Sequence, residues 1–230
     1  MYLQYSGKML ETRTAKKFWT YHSDSIDKTL LPEKLKEYLL TEEEKIIQYC
    51  QENHPDLVLE AGCGRGRIIK AITPHCKKII GIDYSPTMAM FCSERFKGNS
   101  NIKIYEEDIS QTHFQDTYFN LEILAFNTLG NTDTNKESVL LELKRVLRPQ
   151  GSLLVSVYSE KARDIQYDTY QKLSLNILRE ENDRIYTREG LISQRFSVRD
   201  LEAWLQVCGL KGIIEPLNDI SYFVIAKKDD

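Results

Sequence analysis

Between residues 40 and 208 the chain alternates short apolar runs with segments whose apolar residues fall three and four apart, the pattern of an α/β fold. Thr41 followed by Glu44 predicts a capped helix start, with Ile46, Ile47 and Cys50 at helical spacing and an end near Asn53. Residues 57–59 are too short for a helix and predict a strand. Gly62, Gly64 and Gly66 predict a tight turn after it, and Ile68, Ile69, Ala71 and Ile72 a second helix. Further strands are predicted at 78–82, 102–105, 121–126 and 153–157. Between them, Ser85 and Pro86 start a helix through Phe96, and Val139, Leu140, Leu143, Val146 and Leu147 mark another, stopped by Pro149 and Gly151. Parallel strands joined through helices make right-handed crossovers, so the expected core is an open, doubly wound sheet.

The two ends of the chain read differently. Ser197 with Asp200 predicts a capping box for a helix through Trp204 and Val207 that Gly209 ends. Residues 212–215 and 220–226 have no helix between them, only a short turn at 216–219, so those strands must pair antiparallel. Before that helix, 184–187 and 191–196 flank Arg188, Glu189 and Gly190 and predict a small hairpin outside the sheet, within an insertion spanning 167–196. Residues 1–40 carry Tyr2, Tyr5, Phe18, Trp19 and Tyr21 with weak periodicity. They read as an aromatic flap closing over the main domain.

At 230 residues, one core with a small cap is the simplest organisation. The apolar share of 41% and charged share of 28% exclude a disordered chain. No apolar run reaches the length of a membrane span, and the first ten residues lack the apolar centre of a signal peptide. A net charge of −3 gives no global field to gather polyanions, which disfavours nucleic acid as a partner. Arg65, Arg67, Lys70, Lys77 and Lys78 crowd one stretch, read as a solvated helix face ahead of an RNA-facing stripe. Five cysteines without paired metal-ligand spacing argue against a zinc site or disulfide framework and fit a reducing cytoplasm. The oligomeric state stays open.

The chemistry concentrates after the first parallel strand. Glu60-Ala61-Gly62-Cys63-Gly64-Arg65-Gly66 places glycines at the carboxyl edge of the sheet, where open α/β folds bind ligands and a ligand must approach backbone without a Cβ in the way. A dinucleotide fingerprint would need a third glycine at position 67, which is Arg67. Asp83 ends the second strand, where a carboxylate can accept from two ribose hydroxyls. Asp108 follows the third, where one can accept from an adenine amino group, although an aspartate there also serves as a turn residue.

Those segments, with Gly81-Ile82-Asp83-Tyr84-Ser85, Asp108-Ile109 and Leu143-Lys144-Arg145-Val146-Leu147-Arg148-Pro149-Gln150-Gly151, resemble the class I S-adenosylmethionine-dependent methyltransferases over residues 41–227. The resemblance implies a Rossmann-like, seven-stranded sheet whose sixth and seventh strands are antiparallel, and S-adenosylmethionine as cofactor. It implies Glu60, Gly62 and Gly64 at the methionine end, Asp83 at the ribose, Asp108 and Ile109 at the adenine, and Tyr84 and Met88 packed against it. Gln150 departs from the family's usual glycine, in what is expected to be a loop. Asn127, which opens the run Asn127-Thr128-Leu129-Gly130-Asn131, is implied as a further cofactor contact and falls where the family presents its acceptor.

A sulfonium methyl is already activated, so the protein must mainly align the acceptor, exclude water and, where needed, remove a proton. The signature of nucleobase-amine methylation is absent from 127–131, and the two glutamates of protein-arginine methylation are absent from 128–134. A small-molecule acceptor is therefore the leading expectation, and the run Leu129-Gly130-Asn131 resembles small amine N-methyltransferases, which makes an amine nitrogen a candidate atom. RNA methylation and nicotinamide-dependent oxidoreduction are the rivals. Candidate catalytic residues are Tyr21, His22, Asn127 and Tyr158, and candidate substrate contacts are Tyr21, Asn131, Tyr158 and Arg195. A tyrosine at such a place also bridges core and solvent, and an arginine on an exposed strand is ordinarily solvated. No general base is assigned, and no metal is expected, since Asp133 is the sole acid in this loop.

Overall fold

The computed structural model describes residues 15–21, 28–133 and 136–229. Ten strands and seven α-helices form them: α1 (Ala15–Tyr21), α2 (Glu33–Asn53), β1 (Leu57–Ala61), α3 (Arg67–Ile72), β2 (Lys78–Asp83), α4 (Pro86–Arg95), β3 (Ile102–Glu106), β4 (Phe119–Leu124), α5 (Lys136–Val146) and β5 (Leu147–Tyr158), then α6 (Arg163–Lys172), β6 (Ile177–Glu181), β7 (Arg184–Thr187), β8 (Ile192–Gln194), α7 (Val198–Cys208), β9 (Lys211–Asn218) and β10 (Ser221–Lys227). Seven of the strands make one sheet in the order β3-β2-β1-β4-β5-β10-β9. β1 to β5 are parallel, and β10 pairs antiparallel with both β5 and β9. This is the Rossmann-like methyltransferase architecture, with strand ends that gather at one carboxyl edge.

The sheet is buried on both faces. α2, α3 and α4 send Tyr38, Ile69 and Cys92 into one apolar cluster, and α5 and α7 send Leu143 and Leu201 into the other. Such double burial is why the parallel strands read as continuous apolar runs rather than alternating ones. The caps expected at Ser85 and Ser197 are present: Met88 N–H donates to Ser85, and Ser197 and Asp200 form a reciprocal capping box.

Four local expectations are corrected. Thr41 caps nothing, because α2 starts after Pro32 and runs unbroken through residue 41, burying Leu35, Tyr38, Glu42, Ile46 and Cys50 along one face. An acid at the centre of that face hides the apolar spacing. Thus residues 33–40 are helix rather than irregular flap, while residues 1–14 and 22–27 lie outside the described residues. Pro216 belongs to β9 rather than to a turn, which an edge strand tolerates because the missing N–H faces no partner. Gln150 lies in β5 rather than a loop, at φ 60°, with its N–H on Lys228 O at 2.9 Å.

The expected hairpin is a three-stranded antiparallel sheet, β6-β7-β8. The added strand carries Arg179, Glu180 and Glu181, whose polarity disguised it, and Asn182 and Asp183 both take φ above zero to close the β6–β7 turn. This sheet and α6 pack with α1 around a third, small core of Phe18, Tyr170, Leu175, Ile185 and Leu191.

Candidate functional site

Where β1 ends, Gly62, Gly64 and Gly66 have φ of 75°, 52° and 75°, so the chain can turn sharply into α3. A Cβ at Gly62 would stand 2.5 Å from Thr128 Cγ2, whereas one at Gly64 would meet nothing within 4 Å. Gly62 therefore lets the turn pack against the loop after β4, and Gly64 leaves open space beside its backbone. Gly62 and Cys63 N–H both donate to Ile82 O, at 2.8 and 2.9 Å, which locks the turn to the end of β2.

Asp83 continues that lock. Its Oδ2 accepts from Gly64 N–H and its Oδ1 from Ser85 N–H, both at 2.9 Å. Burial raises its pKa to about 6 against the opposing pull of those two donors. Glu60 accepts from Ile69 N–H at 3.1 Å at the start of α3, and burial holds its carboxyl well above the usual range.

Arg67, where a dinucleotide fold would have glycine, is spoken for. It pairs with buried Glu42, reaches Glu43 at 3.2 Å and donates to Leu39 O at 3.4 Å, so charge fastens α3 to α2. Glu42 also accepts from Phe126 N–H at 2.6 Å and from the Ser156 hydroxyl, and Tyr38 donates to Ser156 at 3.0 Å. The basic stretch is partly consumed in the same manner. Arg65 lies over the Phe91 ring at 4.3 Å, and Lys77 pairs with Asp56.

A cavity of about 350 Å³ opens at this edge, within the range of small-molecule sites. Of the sequence-predicted residues, Glu60, Gly62, Gly64 and Asp83 line it, as do Tyr84, Met88, Asp108 and Ile109. Asp108 is also the turn residue it could have been: its Oδ1 accepts from Ser110 N–H and hydroxyl at 2.8 and 2.7 Å. The wall also includes Trp19, Phe126, Thr128 and Asn131. Phe126 and Thr128 carried no signal of their own, since the backbone that turns them inward, with φ of 49° at Phe126 and 58° at Asn127, is invisible in an apolar strand end.

The remaining candidates separate. Asn127 is fully buried and lines no cavity: its amide donates to Asn131 and Ser193, both at 3.2 Å, and accepts from Tyr158 N–H at 3.1 Å. It ties β4, β5 and β8 together. Arg195, expected at the substrate or in solvent, does neither. It is 2% exposed, paired with Glu180 and Asp183, and donates to Gln166 at 2.8 Å, because the added strand β6 covers it. Tyr21 is 77% exposed and does not line this cavity, whose wall takes Trp19 from α1 instead. His22 lies outside the described residues. Tyr158 is buried at the end of β5, beside the cavity. Among the described residues no three metal-ligating side chains cluster, and no helix is long and apolar enough to cross a membrane.

A family model of a methyltransferase domain matches residues 59–155. An uncharacterized methyltransferase of Oceanobacillus iheyensis is 27% identical over 150 residues, which cover 62% of this chain and 67% of that one. The ubiquinone/menaquinone biosynthesis C-methyltransferase UbiE of Stutzerimonas stutzeri is 32% identical over 138 residues, 57% of this chain and 53% of its own length. The chain thus spans between half and two thirds of these relatives. Among solved structures, 1,6-didemethyltoxoflavin-N1-methyltransferase of Burkholderia thailandensis, with bound 1,6-didemethyltoxoflavin and S-adenosylhomocysteine, superposes with a TM-score of 0.59 at 15% identity, covering 82% of this chain and 78% of that one.

Proposed function

We propose that the chain is a class I S-adenosylmethionine-dependent methyltransferase and that it methylates a small molecule held between the sheet edge and the cap formed by α1, α6 and the β6-β7-β8 sheet. S-adenosylmethionine, its cofactor, supplies a methyl group already activated on a sulfonium sulfur. The residues present fit it. Each Asp83 oxygen already accepts one backbone N–H and keeps a lone pair for one of two vicinal ribose hydroxyls. Asp108 keeps Oδ2 for an adenine amino group while Ser110 occupies Oδ1. Open space at Gly64 admits the amino-acid end, and Met88 and Ile109 offer apolar surface to the base.

The remaining work falls to alignment and exclusion of water. Trp19 and Phe126 add apolar wall to the cavity and shield the transfer path from solvent. Asn127 takes a supporting part, holding the loop that carries Phe126 and Thr128 against β5 and β8.

The single observation that carries the small-molecule reading is the cap itself. α1 and the insertion share a small apolar core, and α1 puts Trp19 into the cavity wall, which narrows the approach to the strand ends and supports a small acceptor over a polymer. The internal pairing of Arg67 supports the same reading, since it removes one charge from any RNA-facing stripe.

Calorimetric titration with S-adenosylhomocysteine tests the cofactor site, and submillimolar binding of NAD in its place would reverse the assignment. Incubating the protein with tritiated cofactor and a cell extract, then fractionating labelled product by size, tests the acceptor. A low-mass product is expected, and label in RNA would overturn the small-molecule reading. Deleting residues 1–22 is expected to abolish transfer and leave cofactor binding.

A further inference from the structure

Beside the main cavity lies a smaller chamber of about 40 Å³, and Trp19, Leu31, Phe126 and Asn131 stand in the walls of both. The rest of its wall comes from the end of β5 and from the insertion, including Tyr158, Thr169, Tyr170, Leu191 and Ser193. Among the described residues no charged side chain lines it. An ion entering would lose its hydration with no counter-charge to replace it.

The polar groups of this wall differ in one respect. Thr169 donates to Ile165 O at 2.6 Å, and Ser193 accepts from Asn127 and Gln166 at 3.2 and 2.9 Å. Tyr158 has its backbone N–H on Asn127 and its carbonyl accepting from Phe196, and its ring packs against Tyr38 and Phe126 at 5.7 and 6.3 Å. Its hydroxyl, on a residue only 6% exposed, has no hydrogen-bond partner among the described residues. A ligand atom in the chamber would give that hydroxyl a partner.

We propose that the chamber receives the reacting end of an uncharged, largely apolar methyl acceptor and that the Tyr158 hydroxyl donates a hydrogen bond to an oxygen or nitrogen on it. This rests on the methyl-transfer reading above. The chamber's volume is near that of one or two water molecules, so it grips a hydroxyl, carbonyl or amino substituent while the ring or chain bearing it lies between Trp19 and Phe126. Burial raises the Tyr158 phenol well above its usual range, so at neutral pH it is a hydrogen-bonding hydroxyl and not a base. Specificity then resides in the insertion, which supplies Thr169, Tyr170, Leu191 and Ser193.

The test uses the full chain saturated with S-adenosylhomocysteine and four probes of similar shape: p-cresol, toluene, 4-methylbenzoate and 4-methylbenzylammonium. Binding is followed by tryptophan fluorescence and ligand-observed NMR. p-Cresol is expected to bind at least tenfold more tightly than either ion. Tyr158→Phe is expected to weaken p-cresol about fivefold, the worth of one hydrogen bond, while leaving toluene and S-adenosylhomocysteine unchanged. Leu191→Trp, which fills the chamber, should abolish p-cresol binding with cofactor affinity intact. Equal binding of an ion, or no change for p-cresol in Tyr158→Phe, would overturn the proposal. Failure of the wild type to bind S-adenosylhomocysteine would sink the underlying methyl-transfer reading instead, whereas cofactor binding without p-cresol binding would sink this one alone.

Discussion

The two ends of the cavity are built by different means. At the Asp83 end the walls are strand termini and backbone: a glycine turn hung from Ile82 O, and a carboxylate fixed by two amide N–H groups. At the Tyr158 end they are side chains from α1, α6 and a three-stranded sheet, organised around a small core of their own. The first end inherits the rigidity of a sheet buried on both faces. The second is joined to that sheet by the side-chain hydrogen bonds of Asn127 and Ser193, by the Phe196 N–H on Tyr158 O, and by contacts of α1 with Ser85 and Glu106. Such a division lets the acceptor end vary without disturbing the cofactor end.

The largest effect is expected at the rigid end. Gly62→Val puts a branched side chain where even a Cβ would meet Thr128 at 2.5 Å, at a φ of 75°. Strain and clash together should cost about 3 kcal/mol or more of stability and eliminate S-adenosylhomocysteine binding. Thermal melting and calorimetry check both, and a variant with normal melting and normal affinity would show that the turn is not the rigid part.

Asp83→Ala comes next. Losing two charge-assisted hydrogen bonds should weaken S-adenosylhomocysteine by about 2–4 kcal/mol while p-cresol, at the other end, changes little. The pKa of about 6 adds a pH test. The acceptor form of Asp83 is the ionised one, so affinity should hold above pH 6 and fall as pH drops through it. Asp83→Asn should be weak at every pH, without that inflection.

The unequal legibility of the two ends has the same origin. Gly62, Gly64, Asp83 and Asp108 announce themselves because backbone geometry and strand ends restrict which residue types fit, and spacing then places them in order. Trp19, Phe126, Thr169 and Ser193 carry no such signal, because any residue of suitable size and polarity can line a side-chain pocket. Arg195 shows how this misleads. Its hairpin was legible, but the strand that buries it reads Leu178-Arg179-Glu180-Glu181, too polar to stand out, so a structural ion pair resembled a substrate contact. α2 was misplaced at its start for a related reason: Glu42 breaks the apolar stripe, and its partners Arg67, Ser156 and Phe126 are distant in sequence.

Arg195→Ala tests the independence of the acceptor end. Removing one member of a buried ion pair ordinarily costs 3–5 kcal/mol, but Asp183 is well exposed and Glu180 keeps Arg163 and Tyr167, so about 2 kcal/mol is expected here. The loss should be local. Hydrogen exchange should accelerate in β6, β7 and β8 and p-cresol should weaken, with S-adenosylhomocysteine affinity within twofold of wild type. Faster exchange at Gly62 and Gly64 as well would mean the two ends are one cooperative unit.

The smallest effect is expected at Glu122, in the middle of β4 and away from both ends. Its side chain is fully buried, and neither carboxylate oxygen has a hydrogen-bond partner among the described residues. Burial pushes its pKa well above the usual carboxylate range, with the Lys228 ammonium drawing it partly back. In the unfolded chain the same group ionises near pH 4.3. As pH rises past that value the unfolded state releases a proton that the folded state retains, so the native fold loses stability with increasing pH. Glu122→Gln removes the titration and keeps the shape. It should melt like the wild type near pH 4.5 and become more stable than it by about 1 kcal/mol at pH 7, a fraction of the full burial penalty because Lys228 already offsets part of it. Cofactor and p-cresol affinity should both stay unchanged, since the substitution lies in the sheet's interior. A gap in melting temperature that narrows as pH rises would mean that Glu122 is ionised in the fold and held by Lys228, and that this buried acid stabilises the sheet rather than weakening it.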